Sequence, residues 1–406
     1  MESTTTNQKG QVSNLLNTIN ESATLAMARL SREMAQQGLD IVSLSLGEPD
    51  FDTPDFIKKA AIEALDKNIT HYPPVNGFLD VRKAIAEKFK RDNGLTYSAD
   101  EIVVSTGAKQ AISNAIYALV NPGDEVIMPS PFWVSYAELV KMVGGIPVLI
   151  NATVENEFKI TPKQLSDAIN NKTKLIIYSS PCNPTGSVYN EAELKAFSDI
   201  ILAKENLYVI SDEIYELINF SGRSASIAAI PGMFDRTITV NGVSKAFAMT
   251  GWRIGYIGAP KWIADACSKM QGQITSGANT IAQMAAKAAV LADPQVVNEM
   301  IEVFRKRRDL VFSLLQEIPN LKINLPEGAF YFFPDVSAYF GKSDGQRTIQ
   351  NATDLCEYML QKELVAVVTG DAFGDANCLR ISYAASEDVL REALRRIKSA
   401  LAQLKD

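Results

Sequence analysis

The stretch TITVNGVSKAFAMTGWRIG, residues 237–255, decides how this chain is read. Thr237 to Val240 is a β-branched run and reads as a buried strand. Asn241-Gly242 ends it, because that pair accepts turn dihedrals a strand does not hold. Lys245 follows the turn among the small residues Gly242, Val243, Ser244 and Ala246. Arg253 comes next, beside Trp252 and two glycines. An amine at a strand end among apolar neighbours loses hydration, its pKa falls, and it can attack a carbonyl. A loop lysine taken alone is more commonly a solvated surface charge. The reading of Lys245 therefore depends on what the rest of the chain carries.

The bulk properties narrow the field. At 406 residues the chain predicts one large and one smaller domain, or two of similar size. A net charge of −7 argues against a nucleic-acid surface, and no apolar run approaches the ~20 residues of a membrane span. The start, MESTTTNQKG, lacks an apolar core, so it is not read as a signal peptide, and residues 1–11 are expected to be disordered. Cys182, Cys267, Cys356 and Cys378 are far apart, which suggests reduced thiols in a cytoplasmic protein and no zinc frame. With His71 as the one histidine, no metal site of the His-rich kind is expected, and a Ser-His-Asp triad has only His71 to use.

Taken in order, residues 13–38 are helix-compatible, with Ala23, Met27, Leu30 and Met34 at helical spacing, and Ile41 to Leu46 reads as a strand. GEPDFDTP, from Gly47 to Pro54, is an irregular loop whose glycine lets backbone approach a ligand. Helices are expected at 55–66 and 78–92, with the stiff loop HYPPVNG between them; its Tyr72, on composition alone, is a packing residue. From residue 100, β-branched runs alternate with helices. The runs are Ile102–Ser105, Glu125–Met128, Ile146–Ile150, Leu175–Ser179, Tyr208–Ser211, Thr237–Val240 and Ile254–Gly258. This α/β alternation predicts a mostly parallel seven-stranded sheet covered by helices on both faces, with the last strand joining antiparallel. Beyond residue 291 the pattern becomes a smaller α+β unit: a long helix starting at Asp293-Pro294, strand-like GAFYFF, a helix near 352–362, VAVVTG, CLRISYA and a final helix capped by Ser386. Arg305 to Arg308 is expected to be a solvated face. The division expected is 12–46 packing with the small domain, 47–290 large, and 291–406 small.

In such a sheet, ligands lie off the carboxyl ends of the strands. Those ends carry Gly107-Ala108-Lys109 opening a helix, Trp133, Asn183, Asp212 with Tyr215, and Lys245. A lysine that forms an imine, an acid that keeps a pyridine nitrogen protonated and a helix N-terminus that receives a phosphate are the needs of pyridoxal phosphate.

The motifs GEPDFDTP, TGAKQA, PFWVSY, SPCNPTG, SDEIYE, VNGVSKAFAMTGWRIG and CLRISYA, in that order, make the chain resemble the fold-type-I pyridoxal-phosphate aminotransferases, specifically subgroup Ib of the class I aspartate aminotransferases. The resemblance runs from about residue 12 to the end. It implies that Lys245 is the Schiff-base lysine and proton shuttle, that Asp212 pairs with the ring nitrogen, that Asn183 and Tyr215 contact the ring oxygen, and that Trp133 stacks on the ring. It also implies a phosphate site at Gly107, Ala108, Lys109, Ser244 and Arg253, completed by Tyr72 of a neighbouring subunit in a homodimer. Arg380 would clamp the substrate α-carboxylate, near the backbone of Gly47. Cys182 stands where the family often has Asn.

A lysine at the Lys109 position implies acidic amino acids and 2-oxo acids as substrates. GAKQ, SKMQGQITSGA, GDAFGD and Thr24 also resemble prephenate aminotransferases, so aspartate with 2-oxoglutarate and prephenate are both implied. A β-lyase or decarboxylase on the same cofactor, and a non-enzymatic regulator, remain as alternatives. The regulator is disfavoured because the N-terminal segment is too short for an added DNA-binding domain, and a dinucleotide site because TGAKQA lacks Gly-x-Gly-x-x-Gly.

Overall fold

The computed structural model describes residues 12–222 and 224–406; the expectation for residues 1–11 lies outside them. A two-residue strand, β1 (Val42–Ser43), comes first. The central sheet follows: β2 (Ile102–Ser105), β3 (Glu125–Ser130), β4 (Ile146–Asn151), β5 (Thr173–Ser179), β6 (Tyr208–Asp212), β7 (Thr237–Gly242) and β8 (Gly255–Gly258). Their order is β2-β8-β7-β6-β5-β3-β4. The pairs β3–β4, β3–β5, β5–β6 and β6–β7 are parallel, whereas β8 is antiparallel to both of its neighbours. The chain thus has the mostly parallel, helix-covered sheet that its alternating pattern predicts.

Both faces of the sheet are buried except along the edge strand β4, where Ile146 and Leu149 are exposed, and alternate residues go to opposite sides. In β5, Leu175 and Ile177 pack with the helices Ala108–Leu119 and Lys261–Ile274, while Ile176 and Tyr178 pack with the helix Glu191–Leu202. Two-sided burial is why these strands read as continuous apolar runs and not as alternating ones.

The remaining strands are short. β9 (Tyr331–Phe332), β11 (Val368–Thr369) and β12 (Leu379–Ser382) form a three-stranded antiparallel sheet in the order β11-β12-β9, and β10 (Val365–Ala366) pairs parallel with β1. The helices Asn298–Gln316, Ala352–Glu363 and Glu387–Ala402 cover them with Phe304, Val311, Leu355, Leu394 and Ile397.

Several boundaries differ from expectation. The helical stretch 13–38 is two helices, Asn14–Asn17 and Ala23–Gln36. Only Val42 and Ser43 of 41–46 pair as a strand. Asp293-Pro294 opens a short 3-10 turn, Pro294–Val297, with the α-helix starting at Asn298, because the Asp293 carboxylate accepts from Gln295 N and closes a tight first turn. The helices Lys261–Ile274 and Thr280–Leu291 were not anticipated. The reading of Arg305 to Arg308 as a solvated face fails at Arg308, whose guanidinium is largely buried over Phe220, and furthest at Arg307. It is 7% exposed and makes two bonds of 2.6 and 2.9 Å to Asp50, with its guanidinium over Phe51 and Phe304. A planar cation that is doubly bonded and stacked can leave water where a solvated lysine would not.

One close approach positions the rest. A Cβ on Gly255, at the start of β8, would lie 2.6 Å from Ala108 Cα, so β8 touches the first turn of the helix Ala108–Leu119. Backbone on both sides leaves no flexible atom to yield. Gly255→Ala should lower unfolding stability by about 1–3 kcal/mol, read as a shifted urea midpoint at unchanged slope. An unchanged midpoint would mean that this contact does not set the helix start.

Candidate active site at the carboxyl edge of the sheet

The carboxyl ends of β2, β5, β6 and β7 and the start of β8 face one cavity of about 290 Å³. Its lining includes Gly47, Ala108, Lys109, Trp133, Asn183, Asp212, Tyr215, Ser244, Lys245, Arg253 and Arg380, and Ser22, Thr24 and Leu25 from the start of the helix Ala23–Gln36. Gly107 stands immediately behind, as the N-cap residue of the helix Ala108–Leu119, at φ 81°. Of the residues singled out from sequence, Tyr72 alone is remote: it is 92% exposed and outside the cavity.

Arg380, on β12, is 1% exposed. It donates to Asn183 Oδ1 (3.0 Å) and to the Ser45 carbonyl (2.6 Å), and it stacks on Tyr331 and Phe373. Its Nε has no partner, and among the described residues no carboxylate pairs with it. A buried cation without an anion costs several kcal/mol, so a site built this way suits a carboxylate brought by a ligand.

Lys245 donates to the Gly47 carbonyl at 2.6 Å. Burial, and then the Arg380 charge, pull its pKa down to about 8. Asp212 is held at the end of β6 by Tyr136 Oη (2.7 Å) and Ile214 N (3.2 Å). Burial pushes its carboxyl up to about 6, against the lowering effect of the Tyr136 bond. The Tyr215 and Tyr331 hydroxyls share a hydrogen bond of 2.7 Å.

The helix start at Gly107 has no side-chain cap; Gln110 N bonds to the Gly107 carbonyl at 3.1 Å, which leaves the N–H groups of Ala108 and Lys109 without a partner among the described residues. Gly107 has φ 81° and ψ 159°, a backbone conformation that L side chains rarely adopt, and a Cβ there would also push against the end of the Arg253 side chain beside the helix start. Lys109 is exposed as a residue, and its ammonium lies 5.0 Å over the Trp133 ring. Burial of that end, and then Arg253, lower its pKa. Trp133 is braced edge-on by Tyr136. Cys182 lies outside the cavity; its thiol faces the Pro131 carbonyl, and burial raises its pKa.

Sequence reading missed Tyr136, Tyr331, Glu48 and Ser179, all of which line the cavity. Tyr136 and Tyr331 lie inside motifs quoted for other residues, PFWVSY and GAFYFF. Only the distance to Asp212 or to Tyr215 singles them out. Among the described residues there is no cluster suited to a metal ion and no helix long and apolar enough to cross a membrane.

The family model for "Aminotransferase class I and II" matches residues 40–397. A bifunctional aspartate aminotransferase and glutamate/aspartate-prephenate aminotransferase of Petunia hybrida is 46% identical over 395 residues, 96% of this chain and 82% of that one. An aspartate/prephenate aminotransferase of Cereibacter sphaeroides is 44% identical, with 97% and 99% of the two chains covered. The crystal structure of the aspartate aminotransferase from Rhizobium meliloti superposes with a TM-score of 0.94 at 41% identity, over 97% of this chain and 100% of that one.

The Lys245 shift has a stability consequence with a definite sign. The folded amine loses its proton near pH 8 and the unfolded one near 10.5. Between those values the unfolded chain binds more protons, so rising pH favours folding. Below pH 8 the parent carries a cost that Lys245→Met removes. Without added ligands, the stability advantage of that variant should be constant below pH 8 and disappear by about 10.5, in urea titrations across the range. An advantage independent of pH would refute the depressed pKa.

Proposed function

The chain belongs to the class I and II aminotransferase family, and from that premise we propose that it exchanges the amino group of aspartate or glutamate with a 2-oxo acid such as 2-oxoglutarate. The reading has pyridoxal phosphate as cofactor, a ping-pong order, a homodimer and a cytoplasmic setting. The observation that carries it is the buried Arg380, which has no internal anion and stands close enough to Lys245 to depress its pKa.

The residues fit that cofactor. The uncapped helix start at Ala108 and Lys109, with Ser244 and Arg253 beside it, suits a phosphate. Asp212, buried and bonded to Tyr136, suits a protonated ring nitrogen, because such a cation would return its carboxyl to the ionised form. Trp133 offers a flat face, and Asn183 and Tyr215 offer polar groups for the ring oxygen. Tyr72, with the exposed Phe56, Ile62 and Leu65, supports a second copy of the chain covering that side and reaching the phosphate. The four cysteines are free thiols, which agrees with a reducing compartment.

When bound, pyridoxal phosphate supplies an aldehyde for an amine and a ring that withdraws electrons from the α-carbon. The protein does the rest. Arg380 receives the substrate α-carboxylate through a planar, two-pronged donor set and so fixes the α-carbon over the Lys245 amine. Lys245 Nζ, free of its proton at mildly alkaline pH, takes the α-proton and returns it. Lys109, at the mouth near Thr24, meets the second carboxylate of an acidic substrate. Prephenate, a dicarboxylate for which the Petunia and Cereibacter relatives are named, suits the same pair of cations and is a second acceptor on this reading.

The test is the visible spectrum of the purified protein. Aspartate and glutamate should bleach the cofactor band, with alanine and phenylalanine much weaker; prephenate added to the aminated form should restore it. Equal bleaching by all four donors would remove Lys109 as selector, and a Lys245→Ala protein as yellow and active as the parent would sink the proposal. Arg380→Leu should cost about 2–5 kcal/mol in kcat/KM for aspartate, chiefly through KM.

A further inference from the structure

Directly behind the cavity lies a second group of buried charges that the chemistry above does not use. Lys88 is the last residue of the helix Leu79–Lys88, and a π-turn, Phe89–Asn93, follows it and ends at Gly94. A π-turn closes i to i+5, so it brings residues five apart to the same side. Accordingly Lys88 Nζ donates to Asn93 Oδ1 at 2.9 Å, and it pairs with Glu216 Oε1. Asn93 Nδ2 donates to Glu216 Oε2 at 2.7 Å and reaches Glu213 Oε2 at 3.4 Å. Glu213 Oε1 accepts from Ser211 Oγ (2.9 Å) and Ser226 Oγ (2.7 Å). Lys88, Asn93, Glu213 and Glu216 are each no more than 8% exposed.

The cluster does not balance as a simple ion pair. Asp92 is taken by Arg91, with bonds of 2.6 and 2.8 Å, and stands 3.8 Å from Lys88. Lys88 is left as the cation for two buried carboxylates, Glu213 and Glu216. Glu213 accordingly has its pKa pushed up to about 8, by burial and then by Glu216. A buried group of this kind is weak as a source of stability, since apolar residues of the same volume would do as well or better. What it supplies is direction, because each bond fixes one element against another.

The element it fixes is the one that carries the chemistry. Glu213 and Glu216 each follow a cavity residue, Asp212 and Tyr215. The intervening turn is closed by Glu216 N to the Glu213 carbonyl at 2.9 Å, and Glu213 N bonds to the Val240 carbonyl of β7 at 2.9 Å. One side of this turn faces the cavity and the other is pinned to the π-turn. We propose that Lys88, Asn93, Glu213 and Glu216 are positioning residues that hold the turn from Asp212 to Glu216 in the one orientation that presents the Asp212 carboxylate and the Tyr215 hydroxyl to the cofactor ring. The proposal rests on the cofactor reading above and adds to it the device that aims these two groups.

Two variants test it in the holoenzyme: Glu216→Gln, and the paired Lys88→Met with Glu216→Met, which replaces the ion pair by apolar side chains of similar length. The readouts are the pH at which the bound cofactor changes colour, kcat and KM for aspartate, and the urea midpoint. Both variants should move the spectroscopic midpoint by about half a pH unit or more. They should lower kcat about tenfold, as small misplacements do, with KM within about twofold because Arg380 is untouched. The paired variant should match or exceed the stability of the parent and still show both changes. A folded variant of either kind with the parent's spectroscopic midpoint and kcat overturns the proposal, as does a change confined to the urea midpoint. A parent protein that takes up no pyridoxal phosphate would overturn the cofactor reading as well, which separates the two failures.

Discussion

The arrangement depends on a guanidinium kept out of water with no anion of its own among the described residues. Desolvating Arg380 costs several kcal/mol, and the fold returns part of that through Asn183, the Ser45 carbonyl and the faces of Tyr331 and Phe373. Those partners come from the strand end after β5, the segment after β1, β9 and the turn before β12. Four separate parts of the chain must therefore be correctly folded before the cation is tolerated. The same charge acts on Lys245, where it is the second cause, after burial, of the depressed pKa. Recognition and reactivity are thus coupled through space. A carboxylate placed against Arg380 would remove part of what keeps the amine unprotonated and so make Lys245 more basic, which is the direction the proposed proton transfer needs.

The loop GEPDFDTP is where the N-terminal and C-terminal parts of the chain meet the lysine. Gly47 accepts from Lys245, Thr53 Oγ1 donates to the Ala248 carbonyl at 2.7 Å and accepts from Trp252 Nε1 at 3.0 Å, and Glu48 accepts from Thr250. Asp50 is held by Arg307 from the helix Asn298–Gln316. A loop with three acids and two prolines has the composition of a linker, yet each of its polar side chains named here has a partner far away in sequence. This is how an irregular segment pays its conformational entropy: by bonds to several elements rather than to itself.

The central sheet was legible because two-sided burial writes each strand as an unbroken apolar run, and the strand-end residues were legible because the ends of such runs are easy to locate. The C-terminal strands were less so. GAFYFF is six apolar residues or glycine, but only Tyr331 and Phe332 form the strand beside β12, because Gly328 bridges to Asn219 and Ala329 N bonds to the Ile218 carbonyl instead. Arg307 was misread because RKRR has the local appearance of a solvated face. Its helical position, three residues after the buried Phe304, was the available signal, while its partner Asp50 is 257 residues away. Tyr136 and Tyr331 carry no local mark at all: each is one more buried aromatic until its hydroxyl is seen on Asp212 or Tyr215. The cluster at Lys88 is hidden for the same reason, because a π-turn is not written in apolar periodicity.

The antiparallel strand β8 of the central sheet explains why Lys245 and Arg253 share the cavity. A parallel crossover leaves the carboxyl edge of the sheet and returns at the opposite edge, so it contributes one strand end to a site. The connection from β7 to β8 does not leave. Thr239 to Gly242 pair with Gly255 to Gly258, so the chain turns back at once and residues 243–254 stay over the edge. That segment presents Ser244, Lys245 and Thr250 on its way, and Arg253 in a left-handed conformation (φ 56°) just before the turn into β8. Its return is guided by Gly255 against Ala108, which sets the helix N-terminus beside the same segment. One reversal of strand direction thus places a buried amine of depressed pKa, a cation and an uncapped helix end within one cavity, a combination that successive parallel units would have to assemble from three separate crossovers.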